Sequence, residues 1–144
     1  MTSYIRADLR RAVIERAGHV CEYCLIHESD TYLGCQVDHV LSEKHGGLTD
    51  AENLCLACTP CNRAKGSDIA SITKGAVVAR FYNPRTDTWK EHFRLDGVEI
   101  APLTEIGEVT VRILEFNAFE RILEREKLAC ASRYPSPEAV QRIT

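Results

Sequence analysis

The sequence predicts an α+β fold stapled by a four-thiolate zinc site. Three observations predict it. Two CxxC pairs, Cys21/Cys24 and Cys58/Cys61, present four sulfurs on two knuckles. Helical periodicity with natural stops precedes the first pair, follows the second and returns near the C-terminus. Strand-like patterning fills much of the rest, with an Asp96-Gly97 hairpin signal between HFRL and VEIAPL.

Taken in order, Ile5 to Ala17 reads as an amphipathic helix. Ile5, Leu9, Ala12 and Val13 follow the helical period, Gly18 stops it, and Arg6, Arg10 and Arg11 form a solvated face. CEYC makes a tight turn. Gly34 to Leu41, with CQVDHVL inside it, reads as a strand, Gly46-Gly47 is a break, and Asp50 to Leu56 leads into the second cysteine pair. A short helix follows, with Thr59 as N-cap, Pro60 at its first position and Gly66 as its stop. That spacing puts Asn62 and Lys65 on one helix face.

Residues 66–76 read as a connector, and Val77–Tyr82 and Trp89–Leu103 as strands, with Trp89, His92 and Phe93 packing inside. Two helices are expected over Glu108–Phe116 and Ala118–Ala129, the second with Phe119, Ile122, Leu123 and Leu128 on its apolar side. The expected organisation is a core at 1–76, a β-hairpin plus helices packed on it at 77–132, and a frayed tail at 133–144 containing Pro135 and Pro137.

A chain of 144 residues can bury a core of its own, so a metal would not be its sole source of stability. No apolar run approaches the length of a membrane span. The opening MTSYIRADLRRAV lacks the apolar centre of a signal peptide, so a cytoplasmic location without a membrane partner is expected. In that reducing setting seven cysteines are no disulfide framework, and the unpaired Cys35, Cys55 and Cys130 read as small buried hydrophobes. The net charge is −3, with both signs spread evenly along the chain. A nucleic-acid surface would therefore be a local patch of modest affinity at physiological salt.

The two knuckles are the layout of a structural zinc site, because four sulfurs fill the shell and leave no open position. A redox CxxC or an iron site is the alternative. The 33 residues between Cys24 and Cys58 exceed the roughly fifteen to twenty of a simple ribbon. The insert must hold something, and it holds Asp38-His39, Gly46-Gly47 and Asn53, with Asn62 just after it.

CEYC together with VDHVLSEKHGGLTDAENLCLACTPCNRAKG resembles the HNH endonuclease family, in its zinc-stapled subgroup. The later FYNPRTDTWKEHFRLDGVEIAPLTEIGEVTVRILEFN is similar to a tail found in one branch of that family, so the resemblance runs from about Arg11 to Leu128. It implies a ββα-metal (His-Me finger) core around a single divalent ion. It implies His39 as general base, Asn53 as the residue that pins the loop between the strands, and Asp38 and Asn62 as ligands of a catalytic Mg²⁺ or Mn²⁺. The implied partner is DNA, nicked with little sequence preference. Ser42 stands where many members have proline.

The chemistry is consistent with those roles. Phosphodiester hydrolysis needs an activated water and charge neutralisation at the phosphate. A neutral imidazole can take the proton, and a hard ion prefers oxygen ligands such as a carboxylate and an amide oxygen. Lys65, Arg63 and His45 are candidate contacts to the substrate backbone. One geometric difficulty stands: neighbours in a regular strand point to opposite faces, so Asp38 and His39 can serve one site only at a twist or a strand end. The alternative function is a catalytically silent zinc module that binds nucleic acid or protein.

Overall fold

Apolar alternation in this chain never runs long, and its sheets are small accordingly. The computed structural model describes residues 4–144. Among these are three two-stranded antiparallel hairpins and six α-helices, an α+β arrangement. A lone hairpin is marginal in water, so each must be packed against something.

Helix α1 (Ala7–Arg16) lies against the first hairpin, β1 (Cys35–His39) with β2 (Leu54–Cys58). The register sets Val37 opposite Leu56 and His39 opposite Leu54. Val37, Leu54 and Leu56 form one cluster with Ile5, Val13 and Ala17 from the helix side. The opposite face of β2 sends Cys55 and Ala57 into the main core, beside the knuckle residues 20–26. All five residues of β2 are buried. Helix α2 (Thr59–Lys65) follows directly and completes a strand–strand–helix unit. Its start differs by one residue from expectation. Cys58 takes the N-cap position, and the Thr59 hydroxyl donates instead to the carbonyls of Leu33 (3.4 Å) and Gly34 (3.3 Å).

Beyond α2 the expected connector contains a strand, β3 (Ala70–Ile72), paired with β4 (Val78–Arg80). The expected long strand from Trp89 opens instead as a helical turn, α3 (Trp89–His92), before β5 (Phe93–Asp96) and β6 (Glu99–Pro102). Gly97 sits at the tip of that hairpin with φ +63°, a conformation that costs glycine nothing. Helix α4 (Glu105–Ile113) begins three residues earlier than expected, because the Thr104 side chain caps it by accepting from the Gly107 amide at 3.0 Å.

Helix α5 (Phe119–Cys130) corrects a stronger expectation. Phe119 is 80% exposed and Leu123 39%, while the buried positions are Arg121 and Arg125. The tail expected to fray forms helix α6 (Pro137–Ile143), capped by Ser136. Of the three lone cysteines, Cys55 is buried, Cys35 half-buried and Cys130 exposed, which corrects the reading of Cys130 as a core residue.

The region after residue 80 is tied to the first knuckle at three successive residues. Glu22 is fully buried and ion-paired to Arg85 and, at 2.7 Å, to Arg142. The Tyr23 carbonyl accepts from Trp89 Nε1 at 2.8 Å, and the Cys24 carbonyl accepts from the Tyr134 hydroxyl at 2.8 Å. Arg85 thus reads a buried carboxylate of its own chain. Trp89 and Phe93 are buried in the same core. No helix among the described residues is long and apolar enough to cross a membrane.

Candidate metal centre and catalytic cleft

The four knuckle cysteines converge. The sulfurs of Cys21, Cys24, Cys58 and Cys61 all lie within 4.8 Å of one another, and all four residues are buried. A tetrahedral zinc with bonds of about 2.3 Å sets its sulfurs about 3.8 Å apart, so the cluster fits with little adjustment. Cys21 and Cys24 come from the turn after α1. Cys58 and Cys61 come from the β2–α2 junction, where Pro60 suits the first helical turn. Sulfurs this close cannot all carry charge unaided. Hydrogen bonding within the cluster, to Cys21 first, holds the Cys24 thiol low and pushes the Cys58 thiol up. A bound cation removes that conflict, and the buried group suits a structural Zn²⁺.

Arg121 reaches the same cluster from α5. Its Nη2 lies 3.0 Å from Cys61 Sγ and 3.7 Å from Cys58 Sγ, and its Nη1 donates to the carbonyls of Leu114 (2.7 Å) and Glu115 (3.0 Å). Sequence reading missed it, because an arginine at a helical core position carries no apolar signal.

A separate cleft of about 340 Å³ opens at the end of β1, lined by Asp38, His39, Ser42, Glu43, Lys44, Asn62, Gly66 and Ser67. The strand-face difficulty is resolved by position. His39 is the last residue of β1, so it and Asp38 border one opening. His39 is 3% exposed, with Nε2 2.8 Å from the Thr49 hydroxyl and 3.5 Å from Glu43 Oε1. Asp38 is half-buried, and burial raises its carboxyl above the usual range against the opposing pull of Lys65. The Asn62 amide donates through its nitrogen to Gln36 Oε1, which leaves its oxygen unpaired among the described residues.

Asn53 lies outside the cleft and spans the loop behind it. Its Oδ1 accepts from the Leu41 amide at 2.9 Å, and its Nδ2 donates to the carbonyls of Leu41 and Leu48, each at 2.9 Å. Arg16 from α1 holds the same stretch through the carbonyls of Ala51 (2.8 Å) and Leu54 (2.6 Å). Gly47 is required for this closure, because a Cβ there would lie 1.8 Å from the Leu41 carbonyl oxygen and 2.8 Å from Asn53 Nδ2. Asn53→Ala is expected to lower stability by about 1–3 kcal/mol through the lost bonds. Gly47→Ala should do at least as much damage by forcing the loop open. Thermal denaturation with parallel zinc analysis checks both, since neither substitution touches the cysteines.

Lys65 is not where the sequence reading put it. It is 2% exposed, and its Nζ donates to the His39 backbone carbonyl at 3.3 Å, so the ammonium is buried against its own chain and does not line the cleft. Arg63 and His45 are exposed, and neither lines the cleft. Lys44 does line it, and it was missed because it sits in a 3-10 turn (Glu43–His45) without helical spacing to mark its direction. A larger cavity of about 470 Å³, lined by Arg16, Tyr82, Asp87, Trp89 and Arg142 among others, shares no residue with the cleft.

Residues 21–68 match the family model described as HNH endonuclease. They contain all four cluster cysteines, Asp38, His39, Asn53 and Asn62. No curated protein and no solved structure matches the chain.

Proposed function

We propose that the HNH endonuclease domain which this chain carries at residues 21–68, stapled by its four cysteines, is a working metal-dependent nuclease that hydrolyses DNA. One observation carries the reading: a buried imidazole, a half-buried carboxylate and a side-chain amide meet at a single opening, apart from the thiolate cluster. The family implies a nucleic-acid substrate, and an open oxygen-lined cleft is the environment phosphodiester hydrolysis needs.

In this reading the imidazole of His39 takes the proton of the attacking water. Thr49 and Glu43 engage Nε2, so Nδ1 is the nitrogen left to accept it. Lys65 fixes the backbone of the base from below, and Asn53 keeps the loop that carries Thr49 in place. Asp38 and the amide oxygen of Asn62 would hold a hard divalent ion, Mg²⁺ or Mn²⁺, which supplies charge neutralisation at the phosphate and at the leaving oxygen. Gln36 orients Asn62 for that purpose. Lys44 takes over the phosphate contact first expected of Lys65. With a net charge of −3, binding to DNA rests on this local patch, with low sequence preference and a weak grip at physiological salt.

Asp38→Asn tests the ion site. Burial raises the Asp38 carboxyl, so without a catalytic ion the zinc-loaded protein loses stability as pH rises from the ordinary aspartate range through that raised value. The amide has no such penalty. The variant should melt at the same temperature or slightly higher, lose Mn²⁺ binding in titration calorimetry, and nick at least about 100-fold more slowly. Unchanged Mn²⁺ binding would contradict the assignment of Asp38.

A further inference from the structure

The four-thiolate cluster has a partner that the family motif does not contain. A divalent ion held by four thiolates leaves two formal negative charges in a buried place, and such surplus charge is costly unless something offsets it. Arg121 is the cation positioned to do so. It is 7% exposed, and its guanidinium is bound on both arms, to Cys61 and Cys58 on one side and to the carbonyls that end α4 on the other. The ring of Phe116, 5.9 Å from the guanidinium carbon, packs beside it.

We propose that Arg121 is an outer-sphere residue of the metal centre: its guanidinium, delivered by α5 onto the Cys58 and Cys61 thiolates, slows loss of the ion. The inference rests on the four-thiolate zinc reading. It also gives the region after residue 80 a role in the stability of the nuclease domain. The physical reason is that a donor to a metal-bound sulfur stabilises the thiolate in place and raises the barrier to its protonation and departure. Arginine suits the position because its fork can engage two sulfurs and two carbonyls at once, which the single ammonium of lysine cannot.

The test uses the full chain in wild-type, Arg121→Lys, Arg121→Ala and Arg125→Ala forms. Arg125 is the control: it too is buried on α5, yet it binds the Val98 carbonyl (2.7 Å) and Asn117 Oδ1 (3.1 Å), not sulfur. Two readouts are taken: the rate of zinc release to a colorimetric chelator, and the sulfur-to-metal charge-transfer bands of the cobalt-substituted protein. Arg121→Ala should release zinc about 10–100-fold faster, with Arg121→Lys between it and wild type. Its cobalt bands should move to lower energy, because the sulfur lone pairs lose their donor. Arg125→Ala should lose stability through its own broken bonds and leave the bands unmoved.

If Arg121→Ala does not fold, Arg121→Lys carries the comparison, and its bands must shift in the same direction. Bands and release rates like those of wild type in the folded Arg121 variants would overturn the proposal. Arg125→Ala bands that shift equally would overturn it too, since the effect would then be general loosening. A wild-type protein that binds neither zinc nor cobalt in thiolate coordination would remove the four-thiolate reading itself, a failure distinct from any result on Arg121.

Discussion

His39→Ala is expected to abolish nicking while leaving the fold and the zinc content unchanged. The size of the loss follows from the role: a positioned general base contributes roughly 10²- to 10⁴-fold. The survival of the fold follows from the contacts. The Lys65 ammonium bonds the His39 backbone carbonyl, which alanine retains, and β1 keeps its register with β2. What disappears is the imidazole between Thr49 and Glu43 and its packing, a destabilisation of about 1–2 kcal/mol. Circular dichroism and zinc analysis check the first half, and a nicking time course checks the second. Loss of activity together with loss of zinc would make His39 a structural residue and remove it as the base.

Cys58→Ser should fail in the opposite way. A serine hydroxyl stays protonated where a thiolate is needed, so the shell loses one of its four ligands. The position magnifies the damage, because Cys58 ends the fully buried strand β2 and receives Arg121. The expected result is sub-stoichiometric zinc, a stability loss of several kcal/mol and a melting temperature lower by roughly 10 °C or more, with activity lost as a consequence. The core behind β2 is large enough that some helix should persist. A variant that kept both zinc and wild-type stability would show that the cluster is no staple. The two substitutions therefore separate the centres: one removes chemistry without structure, the other structure and with it the chemistry.

Short-range chemistry was legible in the sequence, and long-range partnership was not. Each CxxC spacing marks a knuckle that holds its own two sulfurs, and the expectation that the two knuckles share one ion is matched by four sulfurs within 4.8 Å of one another. The resemblance to HNH endonucleases singled out Asp38, His39 and Asn62, and the three residues line one cleft. Strand β3 escaped notice because Ala70–Ile72 is only three residues long, too short for its alternation to register, and its pairing with β4 supplies the order. Lys65 looked like a surface cation, since nothing local says that its partner is a carbonyl 26 residues earlier. Helix α5 misled most: periodicity assigns the core to apolar residues, whereas its buried arginines are satisfied by sulfurs and carbonyls far along the chain. The tail helix is different, because its signal was present. Ser136 followed by Pro137 is an N-cap and a first-turn proline, and it was outweighed by the expectation that termini fray.

The measurement that tests the central claim most directly is nicking of supercoiled plasmid by the zinc-loaded protein. It is run with Mg²⁺, with Mn²⁺ and with neither, alongside His39→Ala. The account predicts conversion of supercoiled to open-circular DNA that requires the added divalent ion and disappears in the variant. A folded, zinc-loaded wild type that nicks with neither ion, or a variant that nicks as fast as wild type, would contradict it.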